Sequence, residues 1–377
     1  MKTTSLRRAL VPGIAVAALA LAGCSAGNET DSGSGSGGSD GGTSDVTVSG
    51  DYTIGGASSQ EAAQGAWTVG FQDVQPDATV TYEAIGSGGG RENFISGAYL
   101  TAGSDAYLVD EAPDNELTAA TERCSGDAPI EIPDYVSPIA VIYNVDGVSD
   151  LNLTPDVLAG IFTGDITTWD DEAIAADNPD ADLPSAPINP VHRSDESGTT
   201  ENFTNYLSTI AGDTWTEGAV ETWPGAFGGE AAQGTSGVVT AVTEGQNSIG
   251  YADASQAGDL DAANIGVGDE FTAPTPEAAA SILEVSPAAE DAGENQLIFD
   301  LDYETEESGV YPIVLTSYMI ACPTYESQEE ADFVKAYLGY IVSSDGQQFG
   351  AQEAGVAPLA SSLEEQATEI IDTISAG

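Results

Sequence analysis

The sequence predicts an α/β fold. Three observations carry that prediction. Short apolar runs of strand length alternate with segments whose apolar residues recur at helical spacing. Gly/Ser turns repeatedly separate the two kinds of segment. No internal repeat or second hydrophobic span breaks the rhythm. The folded body is expected from about Asp45 to Gly377, enough chain for one large domain or two of ordinary size.

Two segments ahead of that body read as processing and tethering sequence. Lys2, Arg7 and Arg8 precede an apolar run, Ala9 to Ala22, that is too short to span a membrane comfortably. A basic start, a short apolar run and small residues before a cut describe a secretory signal, here residues 1–24. Its end, Leu21-Ala22-Gly23-Cys24, resembles the bacterial lipobox, which implies a lipid on Cys24. Residues 25–45 are mostly Gly, Ser, Asp and Thr and read as a flexible tether with nothing to bury.

The body's elements follow in order. Tyr52 to Ile54 ends a strand, and a helix with Ala63, Trp67, Phe71 and Val74 on one side follows it. Thr79 to Ile85 is a second strand, leading through glycines to a helix with Phe94. Ala106 to Val109 reads as a third, entered at Ser104-Asp105, and Pro138 to Asn144 as a strongly apolar fourth. Leu158, Ile161 and Phe162 mark a helix stopped at Gly164, before a polar turn holding Trp169. Ile188 to Val191 leads to His192-Arg193, and Phe203, Tyr206, Leu207 and Ile210 then fall at i, i+3, i+4, i+7. Gly237 to Val242 and Ser248 to Ala252 form a helix and strand pair, and Tyr311 to Ala321 is a long apolar strand. Phe333, Tyr337 and Ile341 mark a further helix, and Leu363 to Ile374 an amphipathic closing one.

Composition excludes several functions. After Cys24 only Arg91, Arg123, Arg193 and Lys335 are basic, against 62 acids, a formal charge of −58. Such a surface has no basic stripe for nucleic acid. An anionic ligand would have to be held by local hydrogen bonds, not by the whole-protein field. With Cys24 set aside, Cys124 and Cys322 remain in an exported chain, which favours a disulfide over two free buried thiols. One histidine and no CxxC leave no zinc site, and no other cofactor is expected. No catalytic residues are expected either, because no G-x-S-x-G elbow or metal cluster supplies an activated nucleophile.

The informative feature is a local design used three times: strand, Gly/Ser turn, helix. It occurs at Gly55-Gly56-Ala57-Ser58-Ser59, at Gly86-Ser87-Gly88-Gly89-Gly90 and at Glu196-Ser197-Gly198-Thr199-Thr200. A helix start offers unpaired N–H groups and partial positive charge, and Ser and Thr hydroxyls add neutral donors. No Gly-Lys-Ser/Thr follows, so these are not Walker A loops. The third turn is preceded by Arg193-Ser194-Asp195, which supplies a planar fork of donors with an acid placed to hold it.

With these motifs the chain resembles the phosphate-binding proteins of bacterial ABC importers, a branch of the type II periplasmic binding-protein superfamily. The resemblance runs from about Asp51 to Pro358. It includes Gly56-Ala57-Ser58-Ser59-Gln60, Ile85 to Gly90, Gly103-Ser104-Asp105, Ile161 to Trp169, Arg193 to Thr199 and Ile249-Gly250-Tyr251. It implies a two-lobed type II substrate-binding fold with the ligand in the cleft between lobes. Lobe 1 is expected at 46–133 and 307–377, and lobe 2 at 134–306. By this resemblance Ser58, Ser59, Ser87, Ser197, Gly198 and Thr199 donate to one phosphate, Arg193 clamps it, and Asp195 supports Arg193. Many relatives carry Thr-Phe where this chain has Ser58-Ser59. Cys124 and Cys322 are expected to tie two chain passages near the hinge. Arg91 and His192 are assigned to no site.

Asp105 completes the implied site, as an acid beside an anion. An ionised carboxylate only accepts hydrogen bonds. Mono- and dibasic phosphate carry a proton to donate, and sulfate at neutral pH carries none. Asp105 would therefore accept from phosphate and repel sulfate. The resemblance implies extracytoplasmic capture of inorganic phosphate by a lipid-anchored monomer on the cell membrane, and delivery to the membrane subunits of an ABC importer. Another oxyanion (molybdate, sulfate) or a phosphate-sensing surface lipoprotein is the alternative.

Overall fold

The computed structural model describes residues 46–110, 115–289 and 292–377. The expected signal segment, the Cys24 lipid site and the tether at 25–45 lie outside the described residues. The folded chain is α/β, built on one large mixed sheet. Its strands are β1 (Gly50–Gly56), β2 (Ala78–Glu83), β3 (Ala102–Ser104), β4 (Ile130–Asn144), β5 (Asn189–Arg193), β6 (Glu230–Ala232), β7 (Ser248–Asp253) and β8 (Val314–Ala321). Across the sheet they run β2-β1-β3-β8-β4-β7-β5-β6, with Asp261–Ala262 also pairing with β4.

One strand joins the halves of this sheet. β4 pairs antiparallel with β8 from Ile130 to Pro138, and with β7 from Ile139 to Asn144. It therefore changes partner along its length and belongs to both halves. Only its last seven residues, Pro138 to Asn144, read as a strand in the sequence, because Glu131, Pro133, Asp134 and Ser137 interrupt the apolar run before them. Pro133 cannot donate to the ladder, and the register shifts there. Ser317 faces Tyr135 and Tyr318 faces Pro133, so Asp134 is left over as a bulge.

The helices that matter for the site are α1 (Glu61–Val74), α2 (Ser87–Ile95), α3 (Glu116–Arg123), α4 (Gly198–Ile210), α5 (Gly234–Glu244) and α6 (Gln328–Val342). α1 buries Ala63, Trp67 and Phe71, spaced by four, and Phe71 meets Tyr337 of α6 edge-on at 5.1 Å. Each large side chain buried this way contributes about 1.5–3 kcal/mol. Val74, expected on the same face, is instead 48% exposed, because it ends the helix beyond the last turn that packs. α6 starts at a capping box in which Ser327 and Glu330 satisfy each other's backbone N–H groups.

The third strand also departs from expectation. It is Ala102–Ser104, and Ala106 to Val109 is irregular chain whose Leu108 N–H donates to Glu131 Oε1 at 2.8 Å. Close packing accompanies this: a side chain on Gly56 would collide with the Gly103 backbone, and one on Gly103 with the Gln60 amide. Ser104-Asp105 is consequently at the exit of β3, not its entry. Cys124 and Cys322 are joined in a buried disulfide, Cα to Cα 5.2 Å. It ties the end of α3 to the end of β8, beside Ile130, where Ala321 pairs. That is the far end of the ladder from the Pro138–Ile139 step where β4 changes partner, so the bridge lies within the β8 half of the sheet.

Candidate functional site

β1, β3 and β5 each end in residues that turn toward one buried point. The turn Ser58–Gln60 follows β1 and leads into α1. Asp105 follows β3, and Arg193 closes β5 before α4. The carboxyl ends of strands are where open α/β sheets place ligands. All of Ser58, Ser59, Ser87, Asp105, Arg193, Ser197 and Thr199 are buried.

Asp105 is the centre of the arrangement. Ser59 Oγ lies 2.7 Å from both of its carboxylate oxygens, Thr199 Oγ1 donates to Oδ2 at 2.8 Å and Ser317 Oγ to Oδ1 at 2.9 Å. Its own N–H donates to Ser87 Oγ at 3.2 Å. Burial raises the Asp105 carboxyl above the usual range, while those three hydroxyls and the Arg193 charge pull it back down. Asp134 and Asp253, also buried, are raised too, Asp253 to about 6, each mainly by burial and with Asp105 adding to it.

Arg193 is held as a fork. Its Nε donates to Asp195 Oδ1 at 2.8 Å and its Nη2 bonds Asp195 Oδ2. Gly234 N–H, at the start of α5, donates to the same Oδ1 at 3.0 Å. Burial pushes the Asp195 carboxyl up, but the Arg193 pair and the N–H outweigh it and hold it low. Ser197 caps α4, its Oγ accepting from Thr200 N–H at 3.1 Å.

Glycine brings the two halves together. A side-chain carbon on Gly198 would stand 2.8 Å from Ser87 Oγ and 2.9 Å from Asp105 Cβ. Gly86, at φ 97°, would meet Asp195 Oδ2 at 2.7 Å and Glu196 O at 2.9 Å. The chain past β3 thus packs directly on the start of α4.

Several participants escaped the sequence reading. Thr235, the second residue of α5, donates its N–H to Ser58 Oγ at 3.0 Å and meets it with Oγ1 at 3.1 Å. Gly234-Thr235-Ser236-Gly237 is a fourth small-residue helix start, and that was the available signal. Gln256 Nε2 donates to Ser58 O at 2.8 Å and Ser59 O at 2.7 Å. Ser317 lies inside an apolar strand and carries no charge that would mark it. Arg91, left unassigned, spans the halves: it pairs with Glu116 at 2.7 Å and Glu221 at 2.6 Å and donates to Ser104 Oγ at 3.1 Å. His192 stacks on Trp223, ring centres 4.8 Å apart, and burial lowers its pKa.

Comparison with known proteins adds to this geometry. Residues 41–345 match the family model described as a PBP superfamily domain. The chain is 34% identical over 327 residues to "Phosphate-binding protein PstS 3" of Mycobacterium leprae, covering 85% of this chain and 86% of that one. It is 33% identical over 371 residues to "Phosphate-binding protein PstS 2" of Mycobacterium tuberculosis, covering 96% and 97%. Its fold matches a solved high-affinity periplasmic phosphate-binding protein with TM-score 0.64 and 21% identity, over 86% of this chain and 99% of that one.

Proposed function

Because the chain belongs to the PBP superfamily and, within it, to the phosphate-binding PstS proteins, we propose that it captures inorganic phosphate for an ABC importer. The observation that carries this reading is Asp105, a buried carboxylate ringed by hydroxyls beside a clamped arginine. In the proposed site Ser58, Ser59, Ser87, Ser197, Gly198 and Thr199 supply neutral donors, and Arg193, steadied by Asp195, supplies the one positive charge. Asp105 accepts the proton that phosphate carries. On capture the Ser59 and Thr199 hydroxyls turn from the carboxylate to the oxyanion, and Asp105 keeps an oxygen for that proton.

Lobe 1 is taken as 46–133 with 307–377 and lobe 2 as 134–306. Supporting a division within β4 is its change of partner from β8 to β7 between Pro138 and Ile139, a little beyond the boundary taken here. Closure is then a hinge motion that brings the start of α4 onto Asp105 and Ser87. A lipid on Cys24 would hold the protein on the extracytoplasmic face of the membrane, within reach of the importer's membrane subunits.

Equilibrium dialysis with labelled phosphate tests the reading. One phosphate per chain is expected, with excess sulfate or molybdate failing to displace it. Displacement by either anion at equal concentration would assign the site to a different oxyanion. For the anchor, Cys24→Ala should move the protein from the membrane fraction to the medium, and continued retention would contradict the lipid.

A further inference from the structure

Ser317 sits on β8 opposite the Asp134 bulge, fully buried, with its Oγ between Asp105 and Gln60. Gln60 Nε2 lies 2.7 Å from Ser317 Oγ and 3.1 Å from the Tyr318 carbonyl. A carbonyl only accepts, so this end of the Gln60 amide must be its NH2. The other end, Oε1, accepts from Gln64 Nε2 at 2.9 Å and from the Tyr82 hydroxyl at 3.3 Å. Gln64 Oε1 in turn accepts from the Tyr337 hydroxyl at 2.7 Å. Each link therefore has one direction: Tyr337 to Gln64, Gln64 to Gln60, Gln60 to Ser317. Ser317 Oγ already takes a hydrogen from Gln60, so its own hydrogen is left for a carboxylate: Asp105 Oδ1 lies 2.9 Å away, and Asp134 is the second acceptor it serves.

We propose that Ser317, oriented by Gln60, is a positioning residue for anion selection: it keeps Asp105 an acceptor, so that the site takes a protonated oxyanion and refuses an unprotonated one. The proposal rests on the reading of Asp105 as the acceptor of phosphate's proton. Ser59 and Thr199 also donate to Asp105, but they belong to the donors proposed for the ligand. Ser317 has Gln60 behind it and stands outside the donors proposed for the ligand.

The surroundings explain why such a donor is needed. Burial works against the charge on Asp105, and Arg193 at the end of β5 favours it. Asp134 and Tyr135 of β4, Asp253 of β7 and Tyr82 of β2 interact with it as like or potential like charges. A protonated Asp105 would become a donor and welcome sulfate. A hydrogen bond that arrives only as a donor stabilises the ionised form more than the protonated one.

Sulfate carries no proton between pH 5 and 8, so its binding reports the protonation of Asp105. Calorimetric titration of the full-length protein with phosphate and with sulfate across that range, for wild type, Ser317→Ala, Gln60→Met and Ser317→Thr, tests the proposal. Ser317→Ala should lower the phosphate-over-sulfate preference at pH 6 about tenfold, as expected for losing a hydrogen bond to a charged group. Its sulfate affinity should rise as pH falls, with the rise beginning at higher pH than in wild type. Gln60→Met should act in the same direction but less, and Ser317→Thr should restore the wild-type profile. A Ser317→Ala profile superimposed on wild type overturns the proposal, as does an equal loss of both anions at every pH. Asp105→Asn separates the two readings. If it keeps the wild-type preference, the role of Asp105 itself fails and that of Ser317 with it. If it loses the preference while Ser317→Ala does not, only the role of Ser317 fails.

Discussion

Among single residues, buried acids set the pH behaviour of this protein. Burial pushes the Glu131 carboxyl up to about 7, although Leu108 N–H and the Gln296 amide pull the other way. The folded protein then holds this proton more tightly than the unfolded chain does. Its stabilising effect is full below about pH 4.5 and is lost as pH rises through about 7, amounting to about 3 kcal/mol across that window. Denaturant melts of Glu131→Gln should therefore show the variant gaining on wild type between pH 5 and pH 8. A constant difference across that range would contradict the burial argument. Arg193 was legible because positive charge is rare in this chain, and Asp195 because it stands beside that arginine, whereas Asp105 was read only through the family resemblance. Ser317 and Gln60 were not legible, since a neutral polar residue acquires its meaning only from the partner the fold supplies.

At the scale of elements, the site depends on helix starts brought close by residues without side chains. Gly198→Ala would put a carbon 2.8 Å from Ser87 Oγ, against the opposite half of the cleft. The expected outcome is a phosphate affinity at least about a hundredfold weaker, with the thermal midpoint of the ligand-free protein unchanged within about 2 °C. Calorimetry and a thermal scan read both, and full affinity would show that closure does not bring this glycine onto Ser87. Three of these helix starts could be read directly, because Gly, Ser and Thr cluster there for a local reason. The fourth, at Gly234, lacked a charged neighbour to draw notice. Strand β3 was misplaced by four residues because Ala102-Gly103-Ser104 has no strand propensity of its own. Close packing of Gly103 on Gly56 puts the strand there, and that is a tertiary effect. β4 was cut short for a similar reason: its polar and proline residues are tolerated only because a bulge and buried partners accommodate them.

Taken whole, the molecule repels the ligand it is proposed to bind. The chain after Cys24 carries 62 acids against four basic residues, and the field of so many acids opposes an approaching phosphate. Salt screens that field beyond about 10 Å at 0.1 M but leaves the buried hydrogen bonds nearly untouched. Stopped-flow association should accordingly quicken as salt rises from 10 to 200 mM, with dissociation little changed. Slower association at higher salt would instead point to steering by a positive surface. The α/β class and overall order of elements were legible from periodicity alone. The way the halves meet was not, since the Arg91–Glu221 pair and the Thr235–Ser58 contact join residues distant in sequence.

The central claim is that Asp105 selects phosphate by accepting its proton. Its most direct test is paired calorimetry of wild type and Asp105→Asn with phosphate and sulfate at pH 7. The account predicts that wild type prefers phosphate by about a thousandfold or more, and that the asparagine variant loses most of this by weakening phosphate, admitting sulfate or both. An Asp105→Asn protein with wild-type affinity for phosphate and wild-type rejection of sulfate would contradict it.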